Sequence, residues 1–320
     1  MEQSTGNWFP VISTRELRDK PLAKKRFGQA LVFWRDSKGR AVCMRDICPH
    51  RGAKLSPGHI KDDVITCPFH GIEFDSQGHC ARIPPEGERP IPDDFCVQTL
   101  TCFESGEYIW LWTGSDVDAL SLPEPPRHSD MDGLPYGEST SIWPAHFTRC
   151  IENVCDFSHL PFVHRTTIGM FRSETQSNVE IEEIDQGFRA YLIEENKPAQ
   201  CLEFLYPNLW MLKISSGFPM TAMFAPVDEH TTEVYGRTVY RSDFPGKRIL
   251  MDLYTRISQF LVFREDWPIV AGQWPIDVKD VAGEKLLPSD APVIAYRKLL
   301  HAHGNGHAGS LFSGPGTDMP

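Results

Sequence analysis

The sequence predicts an α+β chain in which an all-β N-terminal domain precedes a domain of antiparallel sheet and helices. The chain has 320 residues, which exceeds the size at which a single hydrophobic core usually keeps growing, so we expect two domains. Short apolar runs separated by turn residues fill the first third of the chain. A helical pattern develops only in the second half, after a segment rich in proline.

The N-terminal third is predicted to form a succession of short strands. Residues 30–34 and 41–44 are apolar runs that flank a turn sequence at residues 37–39, which indicates a hairpin. Further strands are predicted at residues 64–66, 71–74, 79–80 and 108–112. Because these segments are short and separated by turn residues, we expect a small all-β domain.

A change in composition marks the predicted domain boundary. Residues 113–144 are rich in Asp, Ser, Pro and Gly, which predicts a linker without regular strand pairing. We therefore expect a first domain at residues 1–115 and a second at residues 116–300. Residues 301–320 are predicted to be a flexible tail, because Gly is frequent and apolar anchors are few. The second domain should contain a helix near residues 250–264. Its strands are predicted at residues 190–193, 210–214 and 232–235.

Composition and charge exclude several functional classes. The net charge of −11 argues against a nucleic-acid-binding protein, which needs clustered Lys and Arg. The sequence shows neither a secretory leader nor an apolar run long enough to span a bilayer, so we expect a cytoplasmic protein that binds no membrane. Nine Cys is an odd number, which favours reduced thiols and a metal site over a disulfide framework.

Two short motifs each carry one Cys and one His: Cys48 with His50, and Cys67 with His70. A [2Fe-2S] cluster with two thiolates on one iron and two imidazoles on the other needs this ligand set, and its reduction potential lies at roughly −150 to +300 mV. A tetrahedral zinc site also accepts two Cys and two His, but zinc fingers usually place the Cys pair first. The alternating order therefore favours the cluster over zinc and over four unconnected core residues.

These motifs, with Arg51 and Gly52 after the first, resemble the Rieske domain of ring-hydroxylating oxygenases. The resemblance covers residues 8–112. It implies a Rieske [2Fe-2S] cluster held by the two Cys and two His.

A second constellation lies downstream, where Asp156, His159 and His164 are close in sequence. Two His and a carboxylate form the facial triad that holds ferrous iron and leaves coordination positions open. Asp156 and His159 are three residues apart and would share one face of a helix. Pro161 would break that helix and allow His164 to reach the same metal. A metal-free, structural role for a His-rich helix end is the alternative.

The order of Asn153, Asp156, His159 and His164 resembles that of Rieske non-haem iron oxygenases. It points to the monooxygenase and demethylase branch, similar to vanillate and dicamba demethylases. The resemblance implies that His159 and His164 bind a mononuclear Fe(II), and that Asn153 and Asp156 serve catalysis without binding it.

The third iron ligand of the family is an Asp far downstream, and the resemblance assigns it to Asp266, at the end of the predicted helix. The adjacent Glu265 is the alternative ligand. The alternative without a metal is that both residues form a solvated, acidic helix end. Asp156 is implied to bridge His159 of one subunit and His70 of the next. A helix-cap role for Asp156 remains the alternative.

The resemblance implies a terminal oxygenase that assembles head to tail as a homotrimer and has a helix-grip catalytic domain. Such an enzyme uses O2, with electrons from a separate ferredoxin or NAD(P)H reductase, to hydroxylate or demethylate a small, aromatic organic substrate. The sequence has no dinucleotide-binding Gly-x-Gly-x-x-Gly fingerprint, in agreement with a separate reductase. An electron carrier of the Rieske ferredoxin type and a zinc-binding module are the competing functions.

Apolar residues on the predicted strands could line a substrate pocket or belong to the ordinary core. These candidates are Phe204, Trp210, Phe218, Met220, Met223, Phe224 and Tyr235.

Overall fold

The computed structural model describes residues 6–114, 121–170, 173–175, 178–194, 197–214, 218–240, 246–278 and 283–303. The described residues divide into two compact units, with the change of unit between Pro125 and Pro126. Most of the predicted tail lies outside the described residues. No helix in the described ranges is long and apolar enough to cross a membrane.

The described part of the N-terminal unit is built from three antiparallel sheets, which confirms the predicted all-β domain. Their strand orders are β1-β11-β10, β2-β3-β4-β9 and β5-β6-β7-β8. The strands are β1 Trp8–Ser13, β2 Leu22–Arg26, β3 Gln29–Arg35, β4 Ala41–Arg45, β5 His59–Lys61, β6 Val64–Thr66, β7 Glu73–Asp75, β8 Cys80–Arg82, β9 Thr99–Leu100, β10 Cys102–Ser105 and β11 Tyr108–Trp112.

The predicted hairpin is the β3-β4 pair, and side-chain hydrogen bonds close its turn. Oδ1 of Asp36 accepts hydrogen bonds from the backbone N–H groups of Lys38, at 3.0 Å, and Arg40, at 2.8 Å. An Asp at the start of a turn satisfies two donors that strand pairing leaves free. The turn therefore fixes the register in which Trp34 pairs with Val42.

A hydrophobic core lies beneath the loops that carry the predicted cluster ligands. Trp34, Ile65 and Phe74 are fully buried in this core, and the thiols of Cys48 and Cys67 belong to the same cluster of side chains. Each thiol residue is only 1% exposed. The cysteines are thus anchored in a buried hydrophobic core, which limits the freedom of their loops.

The described part of the C-terminal unit contains one seven-stranded antiparallel sheet with four α-helices, which confirms the predicted α+β class. The strand order is β12-β18-β17-β16-β15-β14-β13. The strands are β12 Tyr136–Trp143, β13 Asn178–Ile184, β14 Gly187–Glu194, β15 Lys197–Leu205, β16 Leu209–Ile214, β17 Met220–Asp228 and β18 Thr231–Val239. The helices are α1 Phe147–Cys155, α2 Leu160–Val163, α3 Lys247–Val270 and α4 Ala291–Ala302.

Strand β12 contradicts the prediction that residues 113–144 lack regular pairing. All of its residues, from Tyr136 to Trp143, pair with β18. Its polar composition suits an edge strand, and Oε2 of Glu138 accepts a 2.7 Å hydrogen bond from Nε of Arg237 on β18. Both side chains of this ion pair are at least 90% buried, so removing one of them would cost about 3–5 kcal/mol. A charged residue of the predicted linker therefore belongs to a buried ion pair within the sheet.

The close packing of α3 against β12 fixes the orientation of the longest helix. A Cβ atom on Gly137 would lie 2.4 Å from the carbonyl oxygen of Met251, so only glycine allows this approach. The predicted helix at residues 250–264 is confirmed, but α3 continues to Val270 and includes Asp266. Pro268 sits in the last turn and removes only one backbone donor there.

The segment after α1 corrects the prediction that Asp156 and His159 share a helix. Helix α1 ends at Cys155, and Asp156 has extended backbone angles of φ −82° and ψ 127°. Oδ1 of Asp156 accepts hydrogen bonds from the backbone N–H and the hydroxyl of Ser158, at 2.7 and 2.5 Å. This local turn competes with helix continuation, and α2 therefore begins as a separate turn after His159.

Candidate metal centres

The first candidate centre is formed by two loops that have the same backbone hydrogen-bond pattern. The N–H of Cys48 donates to the carbonyl of Ala53 at 2.8 Å, and the N–H of Gly52 donates to the carbonyl of Cys48 at 3.0 Å. Because Gly52 has a φ of +72°, the loop can reverse tightly between Cys and the returning chain. The loop thus presents the Cys thiol inward and the following His outward.

The second loop repeats this arrangement between β6 and β7. The N–H of Cys67 donates to the carbonyl of Ile72 at 2.7 Å, the N–H of Gly71 donates to the carbonyl of Cys67 at 3.0 Å, and Gly71 has a φ of +70°. Nδ1 of His50 and Nδ1 of His70 lie 3.2 Å apart. Two buried thiols on one side and two adjacent imidazoles on the other match the asymmetric ligand set of a Rieske cluster.

The thiol of Cys48 is held in protonated form by its surroundings. Burial and the adjacent Cys67 thiol together raise the pKa of Cys48 to about 11. Iron must therefore displace a proton when it binds this sulfur, as is usual for thiolate ligands. At the exposed end, the ring of Phe69 lies 3.9 Å from that of His70, and the Arg51 guanidinium lies 5.4 Å from Phe69.

The second candidate centre brings together His159, His164 and Asp266. One ligand atom of each residue lies within 4.8 Å of the other two. Nε2 of His164 is 3.0 Å from Oδ1 of Asp266, and Nε2 of His159 is 3.6 Å from the same oxygen. The two His flank the single turn α2, with Pro161 in its first turn, and Asp266 comes from α3.

Unsatisfied polar atoms at this centre fit a metal ion. Oδ1 of Asp266 is buried and makes no hydrogen bond of acceptable geometry, although Nε2 of His164 is only 3.0 Å away. The side chains of these two residues are 4% and 1% exposed. Buried polar groups without hydrogen bonds are costly. The ligand atoms of His159, His164 and Asp266 lie within 4.8 Å of one another while this oxygen stays unsatisfied, which is the arrangement expected of ligands to a cation.

Each imidazole has a second carboxylate on its far side. Nδ1 of His164 lies 2.8 Å from Oε2 of Glu265, whereas Nδ1 of His159 lies 3.6 Å from Oδ2 of Asp156 and makes no hydrogen bond. Burial lowers the pKa of His164, but the carboxylates of Asp266 and Glu265 outweigh burial and raise it overall. The structure thus places Asp266 between the imidazoles and Glu265 behind one of them.

The carboxylates behind the imidazoles are both stabilised as anions. Burial raises the pKa of Asp156, but the nearby imidazole of His159 and the hydrogen bonds from Ser158 outweigh burial and lower it below its usual value. The pKa of Glu265 is likewise lowered overall, since hydrogen bonds from Thr167, His164 and Thr166 outweigh burial. Neither Ser158 nor the two Thr were predicted from the sequence. An Asp-x-Ser pattern could have indicated Ser158, whereas the two Thr have no local signal.

The other predicted residues are placed as follows. Nδ2 of Asn153 is buried in the last turn of α1 without a hydrogen-bond partner among the described residues. Phe218 is 45% exposed, and Trp210 and Met220 are partly buried. The ring of Phe204 packs edge-on against Tyr296 of α4, with ring centroids 5.1 Å apart. The remaining pocket candidates, Met223, Phe224 and Tyr235, are fully buried.

Comparison with known proteins identifies the family. The profile described as Rieske [2Fe-2S] domain matches residues 7–104, and the profile described as vanillate O-demethylase oxygenase C-terminal domain matches residues 143–210. The chain is 31% identical over 330 residues to methylxanthine N1-demethylase NdmA of Pseudomonas putida, covering 94% of this chain and 89% of that protein. The chain belongs to the Rieske non-haem iron oxygenases.

Solved structures agree with this membership. The structure of NdmA from Pseudomonas putida CBB5 superposes with a TM-score of 0.77 and 28% identity, covering 96% of this chain and 93% of that chain. The structure of dicamba monooxygenase bound to dicamba has a TM-score of 0.73, covers 92% and 96%, and at 20% identity supports the fold alone.

As a Rieske oxygenase, the chain is an oxidoreductase that incorporates oxygen, and its cofactors are a [2Fe-2S] cluster and a mononuclear iron. Its substrates are O2 and a small organic compound. This membership favours the oxygenase over the two alternatives left open by the sequence, an electron carrier and a zinc-binding module.

Replacing Cys48 or Cys67 with Ser is expected to bleach the red-brown colour of the purified protein. A hydroxyl does not replace a thiolate on ferric iron, so the cluster should be lost. Visible absorption and acid-labile sulfide would be measured on the same samples. Cys96→Ser is the matched control, because Cys96 is an exposed thiol in the same unit. A full complement of sulfide in Cys48→Ser or Cys67→Ser would contradict the assignment of that cysteine.

Proposed function

We propose that this chain is a terminal oxygenase whose two metal centres are held by two separate ligand sets. The cluster ligands are Cys48, His50, Cys67 and His70, and the mononuclear iron ligands are His159, His164 and Asp266. The observation that carries the second assignment is the convergence of two imidazole Nε2 atoms and one buried, unsatisfied carboxylate oxygen. The proposed division at residues 1–115 and 116–300 gives each ligand set its own domain.

The proposed reaction is the hydroxylation or oxidative demethylation of a small aromatic substrate. Bound ferrous iron supplies O2 activation, with R–CH3 + O2 + 2 e⁻ + 2 H⁺ giving R–CH2OH + H2O. When the methyl group is on nitrogen or oxygen, the product releases formaldehyde. A separate ferredoxin or NAD(P)H reductase supplies the electrons. Support for this chemistry comes from the full-length similarity to an N-demethylase.

In this proposal, the chain's own residues hold and orient the reacting groups. His159, His164 and Asp266 would hold the metal, and a set of three protein ligands would leave coordination positions for O2 and substrate. Asn153, in the last turn of α1, and Asp156, directly after α1, act on electron delivery. A substrate screen with formaldehyde detection and ¹⁸O2 labelling tests the proposal. Formaldehyde that is trapped as it forms and carries no ¹⁸O, or no oxidation of any methylated or aromatic compound, would contradict it.

We further propose that Asp156 couples His159 to His70 of the partner subunit in a head-to-tail homotrimer. Oδ1 of Asp156 is engaged by Ser158, but its side chain remains 23% exposed beside His159. Exposed apolar side chains lie near both centres, namely Phe69 at 55%, and Phe162 and Met170 at 48% and 54%. Such patches are typical of contact surfaces.

Co-assembly of two defective chains is expected to restore activity if electrons cross between subunits. One chain would carry Cys48→Ser and so lack the cluster, and the other would carry His164→Ala and so lack the mononuclear iron. In mixed trimers, an intact cluster would then face an intact iron centre on a neighbour. Turnover would be measured after co-expression, and the mass of the assembly by light scattering. An active monomer, or no activity in the mixed assembly, would overturn the path between subunits.

A further inference from the structure

The two imidazoles of the proposed iron centre are held in different ways. Nδ1 of His164 lies 2.8 Å from Oε2 of Glu265 and its ring is 1% exposed. Nδ1 of His159, by contrast, makes no hydrogen bond, and the nearest carboxylate oxygen, on Asp156, is 3.6 Å away. One imidazole is therefore fixed within the chain, whereas the other keeps its outer nitrogen available.

The carboxylate of Glu265 is itself fixed on both of its oxygens. Oε1 accepts a hydrogen bond from the Thr166 hydroxyl at 2.9 Å, and Oε2 accepts one from the Thr167 hydroxyl at 2.5 Å. The segment after His164 turns back on itself, since the Thr167 N–H donates to the His164 carbonyl at 3.1 Å. This turn brings both hydroxyls onto the same carboxylate that faces the imidazole.

The hydrogen bond between Glu265 and His164 fixes the tautomer of His164. An ionised carboxylate is an acceptor only, so Nδ1 of His164 carries the proton in the bond to Glu265. The lone pair of the neutral ring is then on Nε2, the atom that lies 3.0 Å from Oδ1 of Asp266. Glu265 and Asp266 are adjacent on α3. The same turn of helix therefore presents one proposed ligand, Asp266, and the carboxylate that hydrogen-bonds to another, His164.

We propose that Glu265 is a positioning residue that orients His164 toward the iron, with Thr166 and Thr167 holding the carboxylate in place. This inference rests on the proposed ligand set. A carboxylate behind a metal-bound imidazole fixes the ring and raises its basicity, and its loss typically lowers metal affinity 10- to 100-fold. Asp156, at 3.6 Å from His159, lacks the bond needed for this effect.

The experiment measures Co(II) affinity of the mononuclear centre, by competition with a chelator, in protein that retains its cluster. Glu265→Gln keeps a neutral acceptor and should weaken Co(II) binding about tenfold, whereas Glu265→Leu should weaken it about a hundredfold. Thr167→Val should weaken binding several-fold in the wild-type background and have no further effect in Glu265→Leu, because Thr167 acts through the acceptor at position 265.

Two controls separate positioning from a general loss of stability. Glu182 is the control position, because its carboxylate also accepts a hydrogen bond from a hydroxyl, that of Tyr191, but lies on β13, a strand without predicted site residues. Glu182→Gln should leave the Co(II) affinity unchanged. The melting temperature of the cobalt-free protein should stay the same in Glu265→Gln. Unchanged Co(II) affinity in both Glu265 variants, or a loss that only follows the melting temperature, would overturn the inference. If His164→Ala itself binds Co(II) normally, the proposed ligand set fails instead.

Discussion

His159→Ala and His164→Ala are each expected to abolish product formation while the visible spectrum of the cluster stays unchanged. Each variant removes one of two imidazoles whose Nε2 atoms lie 3.6 and 3.0 Å from the buried Asp266 carboxylate. A centre with a missing ligand holds iron too loosely to activate O2, so turnover should fall by a factor of about 100 or more. The cluster motifs belong to a separate compact unit and should remain intact.

Iron content, visible absorption and product formation would be measured on the same preparation of each variant. His230→Ala is the matched control, because His230 is an exposed histidine in the same unit, in the turn between β17 and β18. It should keep wild-type iron content and turnover. Normal turnover in His159→Ala or His164→Ala would exclude that residue as a ligand.

Asp156→Asn should retain the mononuclear iron and yet lose most of its turnover. The amide oxygen of Asn can still accept the hydrogen bonds from Ser158, so the local turn after α1 should persist. The substitution removes the negative charge that faces Nδ1 of His159 at 3.6 Å. The electrostatic interaction of Asp156 with the imidazole of His159, and with that of His70 of the partner subunit in the proposed trimer, is thereby weakened, and we expect turnover to fall about 10- to 100-fold.

Rapid mixing distinguishes electron delivery from iron binding in this variant. The cluster of Asp156→Asn should accept an electron from its reductase at the wild-type rate, but its reoxidation in the presence of substrate and O2 should be slow. Iron content would be measured in parallel. Wild-type reoxidation, or loss of iron together with activity, would leave Asp156 with a purely local role at the end of α1.

The sequence-based predictions succeeded where the signal is local. Each cluster loop is closed by bonds between residues at most five apart, such as Cys48 and Ala53, so its chemistry is visible in a short motif. The hairpin around Asp36 was predicted for the same reason. The linker prediction failed at β12, because the partner of Glu138 is Arg237, 99 residues away.

The chemistry of the residues alone could not decide between Glu265 and Asp266, because adjacent carboxylates have the same chemistry, and the prediction of Asp266 rested on the family resemblance. Their places depend on the rotation of α3, which is set by burial of Thr255 and Gln259. Asp266 follows Gln259 by two helical turns and therefore shares its buried face. Glu265 is turned away from that face and meets His164 from behind.

Iron and acid-labile sulfide in the purified protein test the central claim most directly. The chain has one complete ligand set for each centre, so we expect about three iron atoms and about two sulfides per chain. His164→Ala should contain about two irons with the same sulfide. A wild-type protein with equal iron and sulfide and no capacity to bind a further ferrous ion would contradict the mononuclear centre. Stoichiometric zinc without sulfide would contradict the account as a whole.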